Sequence, residues 1–122
     1  MKRKILVVDD EPDVVELLIK RLTDAGFEPL SALDGDECLT KLKTHKPNLV
    51  LLDIMMPGKD GFAVLKEIRQ DPQISDTVVI LLTAKSESSS LFKGQELGAT
   101  DYLIKPVDFQ ELLKYIDRYT EV

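Results

Sequence analysis

The sequence predicts an α/β fold: a single five-stranded parallel sheet with helices on both faces, built from a βα unit repeated five times. Three short apolar runs without polar alternation, at residues 5–8, 49–52 and 78–82, predict strands that are buried on both faces. Segments with apolar residues at helical spacing separate the strands, and the connections are short. This alternation requires right-handed crossovers and helices on both faces. The expected strand order is 2-1-3-4-5, with a ligand crevice between strands one and three.

Composition and charge limit the classes of protein to consider. The 122 residues predict one domain, residues 1–122. A net charge of −6 argues against direct binding of nucleic acid or an anionic membrane. The single cysteine, Cys38, excludes an internal disulfide and is expected to be a core residue. With no signal-peptide pattern and no apolar run near the roughly 20 residues of a membrane span, the expected location is cytoplasmic.

The first two βα units follow from local signals. Strand one ends at Asp9-Asp10-Glu11, and Pro12 suits the first turn of the following helix, where a missing N–H costs nothing. Gly26 ends that helix. The second strand, residues 27–32, contains Pro29, which predicts an edge position. Asp34 with Glu37 is the capping-box pattern of a second helix.

The third unit contains a segment that indicates a function. Asn48 to Asp53 is an apolar run that ends in a carboxylate, and the flanking Pro47 and Pro57 favour a strand over a buried helix. Asp53 is therefore expected at the carboxyl end of a central strand, where open α/β sheets bind ligands. A third helix is expected to begin at Asp60-Gly61 and to end before Asp71-Pro72.

The last two units are less uniform. Residues 78–83 predict strand four, whereas residues 86–97 predict a weak helix because four serines and a glycine lower its propensity. Residues 101–104 predict strand five, which Lys105-Pro106 ends. Asp108 is expected to cap the last helix, with Glu111 as its capping-box partner.

The carboxyl ends of parallel strands meet at one edge of a sheet, so the residues there indicate what a site could contain. This edge is expected to hold three acids, a hydroxyl and a lysine: Asp9, Asp10, Asp53, Thr83 and Lys105. Taken singly, each has an ordinary role as a helix cap, a strand-end hydroxyl or a surface lysine. Their coincidence at one edge favours a functional site.

Strands one and three are neighbours in this order, so the three acids converge. Carboxylates at such short separations raise one another's pKa unless a cation compensates their negative charge. Mg²⁺ prefers oxygen ligands of this kind. Thr83 and Lys105 add a hydroxyl donor and a positive charge on the other side. The set predicts a site for a phosphoryl group, with Asp53 attacking phosphorus. Asp9 and Asp10 are better placed as metal ligands, and the spacing alone does not say which binds directly.

These residues resemble the response-regulator receiver domains of two-component signalling, such as the chemotaxis regulators, over essentially the full chain. The matching segments, in order and at the family's spacing, are Val7-Val8-Asp9-Asp10-Glu11, Asp53 with Met56-Pro57 and Asp60-Gly61, Thr83-Ala84, Gly98-Ala99, and Tyr102 with Lys105-Pro106. The resemblance implies the flavodoxin-like (βα)₅ fold.

The resemblance also implies a role for each acid. Asp53 would be the phosphoacceptor, Asp10 a direct Mg²⁺ ligand, and Asp9 the holder of a metal-bound water. The backbone carbonyl of Met55 would be a further ligand. The Met55 side chain offers no polar group to guide a hydrolytic water, and Lys85 adds charge near the site, so the lifetime of the phosphorylated state stays open.

For the remaining site residues the resemblance implies phosphoryl contacts and a switch. Thr83 and Lys105 would contact the phosphoryl group, and Tyr102 would turn inward when Thr83 is drawn to it. Lys105-Pro106 is expected to be a cis peptide. The output surface would comprise the fourth helix, fifth strand and fifth helix. The partner would be a sensor histidine kinase or a phosphotransfer protein, and the chain would catalyse only its own phosphorylation and dephosphorylation. The effector and dimerisation on activation stay open.

Three other functions would require different sequence patterns. A Mg²⁺-dependent aspartyl-phosphate phosphatase would carry an Asp-x-Asp pattern, whereas Asp9 and Asp10 are adjacent. A flavin-binding carrier needs a Ser/Thr/Gly phosphate loop after strand one, and the acids there would repel the phosphate. A receiver-like interaction module that never takes phosphate would not need the intact acids, Thr83 and Lys105.

Overall fold

A computed structural model of the chain describes residues 2–84 and 90–120. The five strands are β1 (Lys4–Val8), β2 (Glu28–Ala32), β3 (Leu49–Asp53), β4 (Val78–Ala84) and β5 (Asp101–Lys105). The helices are α1 (Pro12–Asp24), α2 (Gly35–His45), α3 (Gly61–Gln70), α4 (Ser90–Glu96) and α5 (Phe109–Thr120). All neighbouring strands are parallel, in the order β2-β1-β3-β4-β5. The predicted fold class and strand order are confirmed.

The element boundaries differ from the predicted ones by one residue or a few. Strand β2 starts one residue later than expected, β4 continues to Ala84, and β5 includes Lys105. The predicted start of the fourth helix at Ser86 and the charge of Lys85 lie outside the described residues, and the described part of α4 ends at Glu96.

Two hydrophobic clusters cover the sheet, one on each face. On one face, α2 and α3 pack against alternate strand residues, with Cys38, Leu42, Leu65 and Ile68 buried. On the other face, α1 and α5 cover the remaining strand residues. Both sides of β3 are therefore buried, and all five of its residues are inaccessible to solvent or nearly so. This explains why its sequence lacks polar alternation.

The helix starts follow the predicted signals. Asp34 accepts a hydrogen bond from Glu37 N–H at 2.8 Å, so the predicted N-cap is formed. The Glu37 carboxylate accepts from Leu33 N–H at 2.8 Å, one residue before the cap, rather than from Asp34 N–H as a capping box requires. Asp60 accepts from Ala63 N–H at 2.9 Å at the start of α3. Asp108 accepts from Gln110 N–H at 2.9 Å. Among the described residues the Glu111 side chain makes no return bond to Asp108, so the second predicted capping box is only half formed.

Strand β2 is an edge strand, as Pro29 predicted. Glu28 N–H donates to Arg3 O at 2.9 Å, so position 28 faces β1. In a parallel strand the next residue directs its backbone groups the other way. Pro29 therefore lies with its nitrogen toward the open side of the sheet, and its missing N–H costs no bond to β1.

Candidate functional site

The three predicted acids converge at the carboxyl edge of the sheet. Asp9 follows β1 directly, Asp53 ends β3, and β1 and β3 are paired neighbours, with Val8 opposite Leu52. Each of Asp9, Asp10 and Asp53 offers an oxygen within 4.8 Å of the others. Asp9 and Asp53 are buried, with relative accessibilities of 0% and 4%, whereas Asp10 is more open to solvent. The cluster is thus anchored in the sheet and reachable from outside.

The ammonium of Lys105 lies among these acids rather than across the site from them. Its Nζ is 2.9 Å from Asp9 Oδ2 and 3.3 Å from Asp53 Oδ1, and 3.8 Å from Glu11 Oε1. The side chain starts at the end of β5 and reaches past the end of β4 to do this. Burial lowers the pKa of Lys105, but the hydrogen bond to Asp9 and the charges of Asp53 and Asp9 together outweigh burial and raise it, so the lysine is charged at neutral pH.

The electrostatics of Asp53 differ from those of an ordinary surface aspartate. Burial and the nearby Asp9 raise the pKa of Asp53 to about 6, while Lys105 and the N–H of Met55 oppose the rise. Met55 N–H donates to Asp53 Oδ1 at 3.3 Å. The sequence predicts that crowded carboxylates raise one another's pKa, and the charge of Asp9 has this effect on Asp53, in addition to the larger effect of burial. Lys105 lowers the pKa of Asp53 but does not cancel the combined effect of burial and Asp9.

A close backbone approach fixes the position of Asp53. Gly61 N–H donates to Ile54 O at 2.9 Å, which draws the start of α3 onto the end of β3. A Cβ added to Gly61 would lie 2.4 Å from Asp53 O and 2.8 Å from Ile54 Cα. Only glycine fits between α3 and the strand end that carries the acid.

Thr83 and Tyr102 lie on the two strands beyond Asp53. In β4, Leu82 pairs with Asp53, so Thr83 stands one residue further toward the edge. Thr83 is 1% exposed, and its Oγ1 donates to Ala84 O at 3.2 Å. Tyr102, in β5, is 36% exposed and lines a surface cavity of about 270 Å³ with Ile104 and Tyr115.

Two further predicted features occupy the edge. The Lys105-Pro106 peptide is cis, as expected. The Met55 side chain is 64% exposed next to the acids. Asp9 also accepts a hydrogen bond from Glu11 N–H at 3.0 Å, a contact that is not predicted from the sequence. The Asp9-x-Glu11 spacing allows this turn but does not require it.

The fold and this edge define a receiver: a parallel α/β domain with an acidic cluster and a lysine at the strand ends. The chain belongs to the response regulator receiver domain family, which it matches over residues 5–117. It is 47% identical over 111 residues to the probable transcriptional regulator ycf27 of Porphyridium aerugineum, covering 91% of this chain and 45% of that protein.

Two other relatives support the same family. The alkaline phosphatase synthesis transcriptional regulatory protein PhoP of Bacillus subtilis (strain 168) is 42% identical over 125 residues, covering 100% of this chain and 51% of that protein. The chain therefore spans about half the length of the curated relatives it matches. The solved structure of Vibrio cholerae chemotaxis protein CheY4 is similar with a TM-score of 0.90 and 32% identity, covering 98% of this chain and 99% of that chain. These comparisons confirm the predicted family.

Receiver domains of this family work in two-component systems, and phosphorylation of an aspartate is their general mechanism. They are not a classical enzyme family. In the part of the chain that the structure describes, none of the helices has the length and hydropathy needed to cross a membrane.

Proposed function

We propose that Asp53 accepts a phosphoryl group from a sensor histidine kinase or a phosphotransfer protein in the cytoplasm, with residues 1–122 acting as one receiver unit. The observation that carries the proposal is the convergence of Asp9, Asp10 and Asp53 within 4.8 Å, with the Lys105 ammonium 3.3 Å from Asp53. Of these three acids, Asp53 is the one that ends a central strand, and it lies between the other two acids and Thr83.

The proposed transfer is a nucleophilic substitution at phosphorus. A carboxylate oxygen of Asp53 attacks the phosphorus of the donor's phosphohistidine, and an O–P bond forms as the P–N bond breaks. The electron pair of the broken bond leaves with the imidazole. Lys105 is placed to neutralise charge on the transferred group, because its Nζ already contacts Asp53. Thr83 would donate its hydroxyl hydrogen to a phosphoryl oxygen in place of Ala84 O.

The acids also fit a hard divalent cation. Asp9, Asp10 and Asp53 would hold Mg²⁺, with the backbone carbonyl of Met55 as a further ligand. Carboxylate and carbonyl oxygens are the donors Mg²⁺ prefers. The pKa of Asp53 is raised first by burial and then by the charge of Asp9, and a bound cation would favour the ionised form of Asp53. When bound, the ion would supply positive charge to the phosphoryl oxygens.

Output would follow from a shift between two conformations of one surface. Movement of Thr83 toward the phosphoryl group would leave space behind β4. The side chain of Tyr102, on the neighbouring strand, would turn inward to fill this space. Tyr102 is now exposed beside Ile104, so this movement would change the surface that α4, β5 and α5 present. The names of the curated relatives, transcriptional regulators, support control of transcription as the output class.

The test is intact-mass measurement after incubation with Mg²⁺ and acetyl phosphate. We expect one added phosphoryl group in the wild type and none in Asp53→Asn. Asp24→Asn, which changes an exposed aspartate at the end of α1, is the matched control and should still be phosphorylated. An absent adduct in the wild type would favour a receiver-like module without phosphorylation, and an adduct that survives Asp53→Asn would reject the assignment. Catalytic turnover of an added phosphomonoester would favour the phosphatase alternative.

A further inference from the structure

Arg69, in the last turn of α3, donates hydrogen bonds to three backbone carbonyls in two separate connections of the chain. Its Nε donates to Gly98 O at 2.8 Å, and its Nη1 donates to Ser75 O at 3.0 Å and Thr77 O at 2.7 Å. These carbonyls belong to two different connections, one between α3 and β4 and one between α4 and β5. Charged donors form the stronger class of hydrogen bond, so a planar guanidinium that donates to three carbonyls is a substantial restraint.

The carbonyl of Gly98 belongs to the motif that ends α4. Ala99 N–H donates to Gly94 O at 2.9 Å and Gly98 N–H donates to Gln95 O at 3.1 Å, which is the Schellman pattern. Gly98 has φ +91°, and a Cβ added there would lie 3.3 Å from Arg69 Nε. The guanidinium therefore packs directly against the backbone turn that closes the helix.

Two hydrogen bonds and one close approach hold the same end of α4 on the sheet. Thr100 N–H donates to Val79 O at 2.8 Å, and Val79 N–H donates to Thr100 Oγ1 at 3.0 Å. Gly94 lies so close to β4 that an added Cβ would be 2.6 Å from Leu81 Cδ1. The contacts of β4 and those of Arg69 thus meet at the α4–β5 connection from two sides.

Arg69 is half-buried, and burial lowers the pKa of its guanidinium while Asp76 opposes this. Burying a guanidinium costs free energy of desolvation, and the hydrogen bonds that its N–H groups donate offset this cost. Simple helix amphipathicity does not need an arginine at this position, since Ile68 already supplies the buried contact of that turn.

We propose that Arg69 is a positioning residue that ties the C-terminal end of α4 to the end of α3 and thereby sets the free energy of opening of the α4–β5 connection. The proposal does not depend on phosphorylation of Asp53. Its consequence for signalling does rest on the proposed function. Arg69 would hold one end of the surface formed by α4, β5 and α5 in place while the rest of that surface rearranges.

The test is amide hydrogen exchange on the unphosphorylated protein, read at Leu97, Gly98, Ala99 and Thr100, whose N–H groups are all hydrogen-bonded. Arg69→Met keeps the apolar stem and removes every donor. We expect exchange at these four amides to accelerate on the order of tenfold more than exchange at α1 amides. Arg69→Lys, a single ammonium that cannot span three carbonyls, should restore only part of the protection.

Arg21→Met is the matched control. Arg21 is in the last turn of α1, and its guanidinium stacks over Phe109 at 5.4 Å, so its loss should leave residues 97–100 unchanged relative to the rest of the chain. Equal acceleration at α1 and α4 in Arg69→Met would mean a general loss of stability and would overturn the proposal. Unchanged exchange at the four amides, or full protection in Arg69→Lys, would overturn it as well.

Discussion

The ammonium of Lys105 lies 3.3 Å from Oδ1 of Asp53, although the two residues end strands that are not neighbours. Strand β4 runs between them, and Lys105 is level with Ala84 in the register. The side chain therefore crosses the end of β4 to reach the acids. This contact makes the lysine the internal counter-ion of the cluster and gives the first prediction.

Lys105→Met is expected to raise the pKa of Asp53 above its wild-type value of about 6, because Lys105 lowers that pKa. Carboxyl-carbon NMR titration without divalent cations measures it. Lys114→Met, at an exposed lysine of α5, should leave the titration unchanged. A pKa of Asp53 that stays the same or falls in Lys105→Met would show that the ion pair is absent in solution.

Asp53→Asn is expected to stabilise the protein near pH 7 in the absence of divalent cations. The pKa of Asp53 rises from 3.8 to about 6 on folding, so the native state binds more protons than the unfolded state between these values. Protonated Asp53 stabilises the native state, and this contribution is lost as the pH rises from about 3.8 to 6. Above that range the ionised carboxylate of Asp53 lowers the free energy of unfolding. The gain in Asp53→Asn at pH 7 should be roughly 1–3 kcal/mol.

Urea unfolding of Asp53→Asn and wild type at several values between pH 5 and pH 7.5 checks this result. The difference in free energy of unfolding should grow with pH and level off once Asp53 is fully ionised. Asp24→Asn, at an exposed site, should show a difference near zero throughout. A variant less stable than the wild type at pH 7 would contradict the prediction.

Mg²⁺ is expected to raise the midpoint of thermal unfolding at pH 7.5, because a ligand that binds only the native state stabilises it by mass action. Asp10→Asn should lose most of this shift, and chelation should reverse it in the wild type. The shift should also shrink below about pH 6, where Asp53 is protonated and metal must compete with protons. Asp13→Asn, in the first turn of α1, is the control; an equal shift in Asp10→Asn would remove that residue from the ligand set.

Gly61→Ala is expected to cost about 2–3 kcal/mol of stability, because the new Cβ would meet backbone atoms of the Asp53 strand end that cannot move aside. Gly58→Ala provides the comparison. Gly58 has φ +76° with nothing within 4 Å of an added Cβ, so only the left-handed backbone is penalised, by about 1–2 kcal/mol. Urea unfolding of both variants measures the difference, and equal losses would mean that the close approach to Asp53 is not rigid.

Much of the site could be predicted because topology decides it. Once the βα alternation sets the order of the strands, Asp9 and Asp53 must come together, whatever their side chains do. The position of the Lys105 ammonium could not be predicted in the same way. It depends on the reach of a flexible side chain and on which acids are buried, and neither is encoded in strand periodicity.

Arg69 shows a different limit of sequence reading. Its place after Ile68 at the end of an amphipathic helix is typical of an ordinary surface arginine. Its partners are the carbonyls of Gly98, Ser75 and Thr77, and backbone acceptors have no residue-type signature. Contacts of this kind become visible only when loops distant in the chain are placed in space.

Pro29 has a consequence for how the molecule behaves among other copies of itself. An edge strand offers a row of free N–H and C=O groups to which another chain can add, and such addition leads to aggregation. The nitrogen of Pro29 faces that open side, so an incoming strand would find one donor missing at the second residue of this five-residue edge strand. The residue that marked β2 as an edge in the sequence therefore also protects that edge against intermolecular sheet growth.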